Sequence, residues 1–237
     1  RGHGASGSLI ENLRIVLAER QVVVTLLFLF VLWLSTTYVR PVMPLSIDGF
    51  DIQSTGVEEA DRKVHAGLPF VTFDVHKEAA TGLVFGVIGL TSTIAALSVA
   101  PIGQRIGYRN TVTTAALLTG LLYIPVALAG SFSWFLLFFA AVGLFQGAMV
   151  PGTNALIAAS TPDGKQGSAF GLAASMQSLA LLIGPMGGGL TAAAFGISRV
   201  YLVIAAILLA AALLARFAIR EPEAFVPSKL DRKPAAT

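Results

Sequence analysis

Six apolar runs, each about twenty residues long, dominate this chain of 237 residues and decide what it can become. They lie at 22–45, 79–102, 111–130, 134–159, 170–195 and 200–219. A helix of roughly 20 apolar residues crosses the ~30 Å hydrocarbon core of a bilayer. Barrel strands facing lipid are about half that length and alternate in polarity, which these runs do not. The predicted fold class is all-α: a polytopic membrane protein forming a six-transmembrane-helix bundle over residues 22–219. Composition agrees, because only 12% of residues are charged and 55% are hydrophobic. A water-facing shell needs about a quarter of the residues charged.

Other classes fall away for chemical reasons. There is no cysteine, hence no disulfide and no thiolate metal site. His3, His65 and His76 all lie outside the apolar runs, so neither a structural zinc nor any cofactor is expected. The net charge of +3 is spread along the chain, which argues for the lipid bilayer as partner and against nucleic acid. A membrane-embedded enzyme would need a catalytic constellation near the membrane, and the runs carry none.

Six spans put both termini on one side. If that side is cytoplasmic it collects eleven of the sixteen Lys and Arg residues, leaving Arg40, Arg62, Lys63, Lys77 and Arg199 opposite. That asymmetry follows the positive-inside rule. Residues 1–21 then read as a cytoplasmic N-terminal segment, and 46–78 as a long, acid-rich outer loop. Its composition points to a solvent-exposed insertion rather than a domain, with an apolar patch at Leu68-Pro69-Phe70-Val71. Residues 220–237, with three prolines and mixed charge, read as a disordered cytoplasmic tail. The chain opens Arg1-Gly2-His3 with neither methionine nor a signal peptide, so a fragment of something longer is expected.

Three stretches carry more specific information. Between the second and third runs lies Gly103-Gln104-Arg105-Ile106-Gly107-Tyr108-Arg109, where Gly103 and Gly107 permit a sharp turn. The guanidinium groups of Arg105 and Arg109 can hold helix C-terminal carbonyls or carboxylates. In the fourth run Gln146, Thr153 and Asn154 share roughly one helix face. Neutral polar groups in hydrocarbon either bridge helices or line a cavity, and for Gln146 both readings stay open; Asn154, near Pro151, fits a cavity better. In the fifth run Ala180, Gly184 and Gly188 recur every four residues beside Pro185 and Gly189, a spacing that lets helix backbones approach closely.

The arginine loop resembles the signature loop of the major facilitator superfamily, Gly-x-x-x-Asp-Arg-x-Gly-Arg-Arg, with Gln104 in place of the aspartate and Tyr108 in place of a basic residue. The fifth run is similar to the Gly-x-x-x-Gly-Pro-x-x-Gly-Gly motif of drug/proton antiporters, with Ala180 at the first glycine. The order of these motifs, together with Arg220-Glu221-Pro222, resembles the C-terminal half of a twelve-span multidrug efflux transporter. The alternatives are an N-terminal half, a carrier of other solutes in the same superfamily, or a six-span scaffold that transports nothing.

The resemblance implies that the chain pairs with an N-terminal six-helix half in a bacterial inner membrane. It implies a central cavity lined by the first and fourth runs, with Trp33, Thr37, Phe138, Gln146 and Asn154 as contacts and Gln177 added from the fifth. Arg40, the one charge within the first run, either snorkels to the outer interface or sits at the cavity rim. Such a lining suits a small lipophilic substrate. No carboxylate or histidine lies within the runs, so if coupling is to protons the titrating group belongs to the missing half.

Overall fold

The computed structural model describes residues 9–50, 63–68 and 71–221. Among them eight helices run in the order α1 (Leu9–Ala18), α2 (Arg20–Val39), α3 (Met43–Asp48), α4 (Lys77–Ile106), α5 (Tyr108–Ala127), α6 (Phe132–Ser160), α7 (Gln166–Phe195) and α8 (Ile197–Ala218). Six of these (α2 and α4–α8) are long and apolar enough to cross a membrane. A two-stranded antiparallel hairpin, β1 (Lys63–Leu68) and β2 (Val71–His76), separates α3 from α4, with Lys63 opposite His76 and Leu68 opposite Val71. The insertion between α3 and α4 thus contains a hairpin, and residues 69–70 between its strands lie outside the described residues.

The first apolar run does not form one helix. α2 stops at Val39, Arg40–Val42 turn, and α3 restarts at Met43. Pro41 and Pro44 explain the break, since proline supplies no N–H to the preceding turn and crowds it. Pro101, Pro125, Pro151 and Pro185 are instead carried within α4, α5, α6 and α7, where neighbouring helices can compensate the freed carbonyls.

Helix pairing has an internal symmetry. α2 packs on α7 as α6 packs on α4; α5 packs on α6 as α8 packs on α2; and α5 and α8 pair with each other. Exchanging α2, α4 and α5 for α6, α7 and α8 leaves this pattern unchanged. Each set has three spans, so the two repeats run in opposite directions, which is the inverted-repeat plan of many carriers. α2 and α5 are the most buried spans, whereas α4 and α7 are the least.

Between helices in lipid the hydrophobic effect gives little drive, so close packing and hydrogen bonds must hold the bundle. Two seams do so. On α7, Ala180, Gly184 and Gly188 are buried against α2. A Cβ on Gly184 would lie 2.8 Å from Thr37 Cβ, and one on Gly188 would lie 3.0 Å from the Tyr38 carbonyl carbon. The symmetry-equivalent seam joins α6 to α4, where a Cβ on Gly143 would meet the Ile88 oxygen at 2.9 Å. Ser92 Oγ donates to Gly143 O across it at 3.0 Å.

The end of the bundle beneath α3 is filled by aromatic rings. Phe135, Phe139, Tyr123 and Tyr201 interlock with centroid separations of 4.7 to 6.3 Å, geometry that adds about 0.5–1.5 kcal/mol per pair. Phe50 covers Phe135 at 5.1 Å, and Ser46 Oγ meets Tyr201 Oη at 2.5 Å. α3 is thereby fixed over that end.

Candidate functional site

The polar side chains that the spans carry inward fall into two sets. Ser35, Thr37, Thr153 and Thr161 are buried and return their hydroxyls to carbonyls of their own helix. Thr37 also donates to Ala180 O at 2.9 Å. Thr37, expected to line a cavity, is instead sealed in the α2–α7 seam, because Gly184 and Ala180 bring the α7 backbone directly over it.

The second set lines a small cavity between α2, α4, α5 and α6. Its walls are Thr36, Arg40, Tyr123 and Gln146 among Val39, Met43, Phe85, Ile88 and Phe139, and it encloses about 80 Å³. Gln146 Nε2 donates to Thr36 Oγ1 at 2.8 Å, and the Tyr123 hydroxyl is a further hydrogen-bond partner of the Gln146 side chain. Arg40 reaches the same space from the turn after α2. The cavity therefore offers one cation, three neutral polar groups and two aromatic faces, and among the described residues its walls carry no carboxylate.

Thr36 and Tyr123 were missed in the sequence. Thr36 had no local signal, because it neighbours the equally polar Thr37 on a mostly apolar helix. Tyr123 had none, since nothing local distinguishes a tyrosine that packs from one that lines a site.

The other predicted residues lie apart from this cavity. Trp33 packs with Met176 and Leu172 on a separate cluster that includes Leu29, Ile157 and Ala173. Phe138 stacks on Trp134 at 5.8 Å beside the main core. Asn154 and Gln177 are half-buried. On α7, Pro185 is exposed and Gly189 has open space where a Cβ would stand, so both face away from the seam that Gly184 and Gly188 build.

The arginine loop is a helix junction rather than an extended turn. Gly103 is helical and lies under the Tyr108 ring, where a Cβ would come within 2.6 Å of Tyr108 Cε1. The sharp geometry is confined to Gly107, at φ +89°, a value open to glycine and strained for other residues. Arg105 is exposed in the last turn of α4, whereas the Arg109 guanidinium donates to Arg216 O in the last turn of α8.

An acid from the chain's far end completes this junction. Glu221 Oε1 accepts from Tyr108 N at 2.7 Å and Oε2 from Arg109 N at 2.8 Å. These are orphan N–H groups of the first turn of α5, and the N-cap residue Gly107 has no side chain to satisfy them. Alongside, Gln21 Nε2 donates to Arg220 O at 2.7 Å, and Arg220 N donates to Gln21 Oε1 at 3.1 Å. The first two residues of the C-terminal tail are thus tied to α2 and α5; residues 222–237 lie outside the described residues.

An inverted pair of three-span repeats with a polar pocket between them is the plan of a carrier. A sequence model of the Major Facilitator Superfamily matches residues 25–236. The chain belongs to the major facilitator superfamily. It is an integral membrane protein of a transporter family. Among curated relatives it is similar to the "Multidrug resistance protein MdtG" of Escherichia coli, strains 55989 and K12 DH10B. Each is 34% identical over 141 residues, a match covering 60% of this chain and 34% of the relative. The chain thus matches about a third of the length of these relatives.

Proposed function

We propose that this superfamily chain is the C-terminal six-span half of a proton-coupled transporter that exports small lipophilic compounds by alternating access. It sits in a bacterial inner membrane with both termini in the cytoplasm. The observation that carries this reading is the Arg40–Thr36–Tyr123–Gln146 cavity, a polar pocket at the contact of the two repeats. At about 80 Å³ it is smaller than the ~300 Å³ lower bound of small-molecule pockets, so it forms part of a site whose other wall a second half supplies. Similarity to a multidrug resistance protein supports the choice of lipophilic substrates.

Among the described residues the pocket has no titrating carboxylate, so proton coupling is assigned to the partner half. The contribution of this half is to bind and orient: neutral donors and aromatic faces hold a lipophile with loose selectivity. Gln146→Leu separates a substrate contact from helix glue. As a contact, its loss raises the efflux KM about three- to tenfold, the equivalent of one neutral hydrogen bond, while the melting temperature of the complete transporter changes little. A fall in melting temperature with unchanged efflux of a lipophilic dye would reject the pocket as a binding element.

Docking of the second half is supported by α4 and α7. On α4, Gly82, Gly86 and Gly89 are exposed, with nothing within 4 Å of where a Cβ would stand, and Gly167, Gly171 and Gly189 on α7 are equally open. Glycine costs about 0.5–1 kcal/mol against alanine in a helix, so open rows are best explained by helices that arrive from outside. Gly86→Leu is expected to abolish efflux while membrane insertion continues. Normal transport by this variant would remove α4 from the docking face.

A further inference from the structure

A second and larger groove lies between α5 and α8, outside the cavity assigned to transport. It encloses about 460 Å³ and is lined by Asn110, Thr113, Thr114, Leu117, Ala212, Leu213 and Arg216. α5 begins where α8 ends, so Asn110 in the first turn of α5 and Arg216 in the last turn of α8 mark one end of it. Leu117 and Leu213, both exposed, mark the part deeper in the span. Along α5 the lining runs from polar Asn110 to apolar Leu117 over about 10 Å, at 1.5 Å per residue. A groove that is polar at the membrane boundary and apolar toward the interior fits an amphiphile better than a free ion.

We propose that this groove binds an anionic glycerophospholipid, headgroup at Asn110 and Arg216 and acyl chains over Leu117 and Leu213. The charge is set by Arg216, whose guanidinium makes no hydrogen bond or ion pair among the described residues. The nearby Arg109 guanidinium adds a second cation by reaching the Arg216 carbonyl. Glu221, the carboxylate of this junction among the described residues, is engaged by two N–H groups of α5 and does not offset Arg216 directly. Asn110 donates its amide hydrogen to Ile106 O at 2.8 Å, which leaves its amide oxygen to accept from a headgroup hydroxyl. Thr113 turns its hydroxyl back onto Arg109 O, while exposed Thr114 keeps a hydroxyl for the phosphate. The groove has no lining residue from α4 or α7, and the open glycines of those helices meet neither α5 nor α8, so the lipid and the second half occupy different surfaces.

Native mass spectrometry of the full chain in detergent, with phosphatidylglycerol or phosphatidylcholine of matched acyl chains, tests the assignment. Phosphatidylglycerol is expected to be retained about fivefold better, the worth of one basic side chain at an anionic lipid surface. Arg216→Gln removes that preference but keeps the Arg109 bond, which is to main chain. Leu213→Trp fills the groove and lowers retention of both lipids with the arginine intact. Arg199→Gln, at the opposite end of α8, leaves the preference as it was. Equal retention of the two lipids would overturn the assignment, as would a preference that survives both Arg216→Gln and Leu213→Trp. So would complete displacement of phosphatidylglycerol by inorganic phosphate, which would mark a free-anion site instead.

Discussion

Replacing Gly147 with valine is expected to prevent the six spans from assembling. A Cβ at this position would stand 2.5 Å from Ser92 Cα and 2.7 Å from the Ser92 carbonyl carbon. Those are backbone atoms of α4, so no rotamer change relieves the overlap and the two helices must separate. Adding methylenes to a packed core costs about 1–3 kcal/mol even where side chains can yield. Against a total stability of about 5–15 kcal/mol, an overlap with backbone is a large fraction. Gly147→Ala should lower the melting temperature strongly, and Gly147→Val should leave no monodisperse peak in size-exclusion chromatography. Gly130→Ala is the control, because its Cβ enters open space and it lies outside the glycine rows of α4 and α7. A valine variant that melts like the parent protein would mean that α4 and α6 do not touch at Gly147. The same reasoning applies to Gly188 against Tyr38, where symmetry places the matching seam.

Glu221→Ala is expected to cost the next largest amount. It removes two hydrogen bonds to a carboxylate, at 2.7 and 2.8 Å, and leaves two N–H groups of α5 without a protein partner. Bonds to charged groups contribute about 1.5–3 kcal/mol each. Glu221 is half-buried and water replaces part of the loss, which gives about 2–3 kcal/mol in total. At about 2–4 °C per kcal/mol for a chain of this size, the melting temperature should fall by about 5–10 °C. Glu221→Gln should recover part of that, since an amide oxygen still accepts, while Gly107→Ala should resemble the alanine variant. Its φ of +89° strains any side chain, and its Cβ would lie 3.0 Å from Glu221 Cδ. An unchanged melt for Glu221→Ala would show that the tail is not fastened to α5 in the membrane.

The residues that could be placed from sequence are those whose role is local. The six spans follow from hydrophobic length alone, because each helix meets the cost of crossing lipid by itself. The four-residue spacing of Ala180, Gly184 and Gly188 predicted a close approach, and the structure seats α2 against all three. Gly143 and Gly147 have the same spacing, a packing signal that the polar Gln146 between them obscures. The turn at Arg40–Val42 was also legible in Pro41 and Pro44, yet the apolar residues on both sides outweighed it.

Roles that depend on a partner distant in sequence could not be read this way. Thr37 and Thr36 are adjacent, equally polar and equally helical, yet one is sealed under Ala180 and the other faces Gln146. Nothing within α2 separates them, because apolar residues surround the helix and leave no polar face to set its rotation. Glu221 stands in a tail whose composition reads as unstructured, and it becomes a cap only because α8 ends beside the start of α5. Length and hydropathy determined that this chain spans a membrane six times, since transfer into lipid is a property of each segment. Which glycine meets which backbone, which hydroxyl reaches a cavity, and which acid caps which helix were decided only when the two inverted repeats packed together.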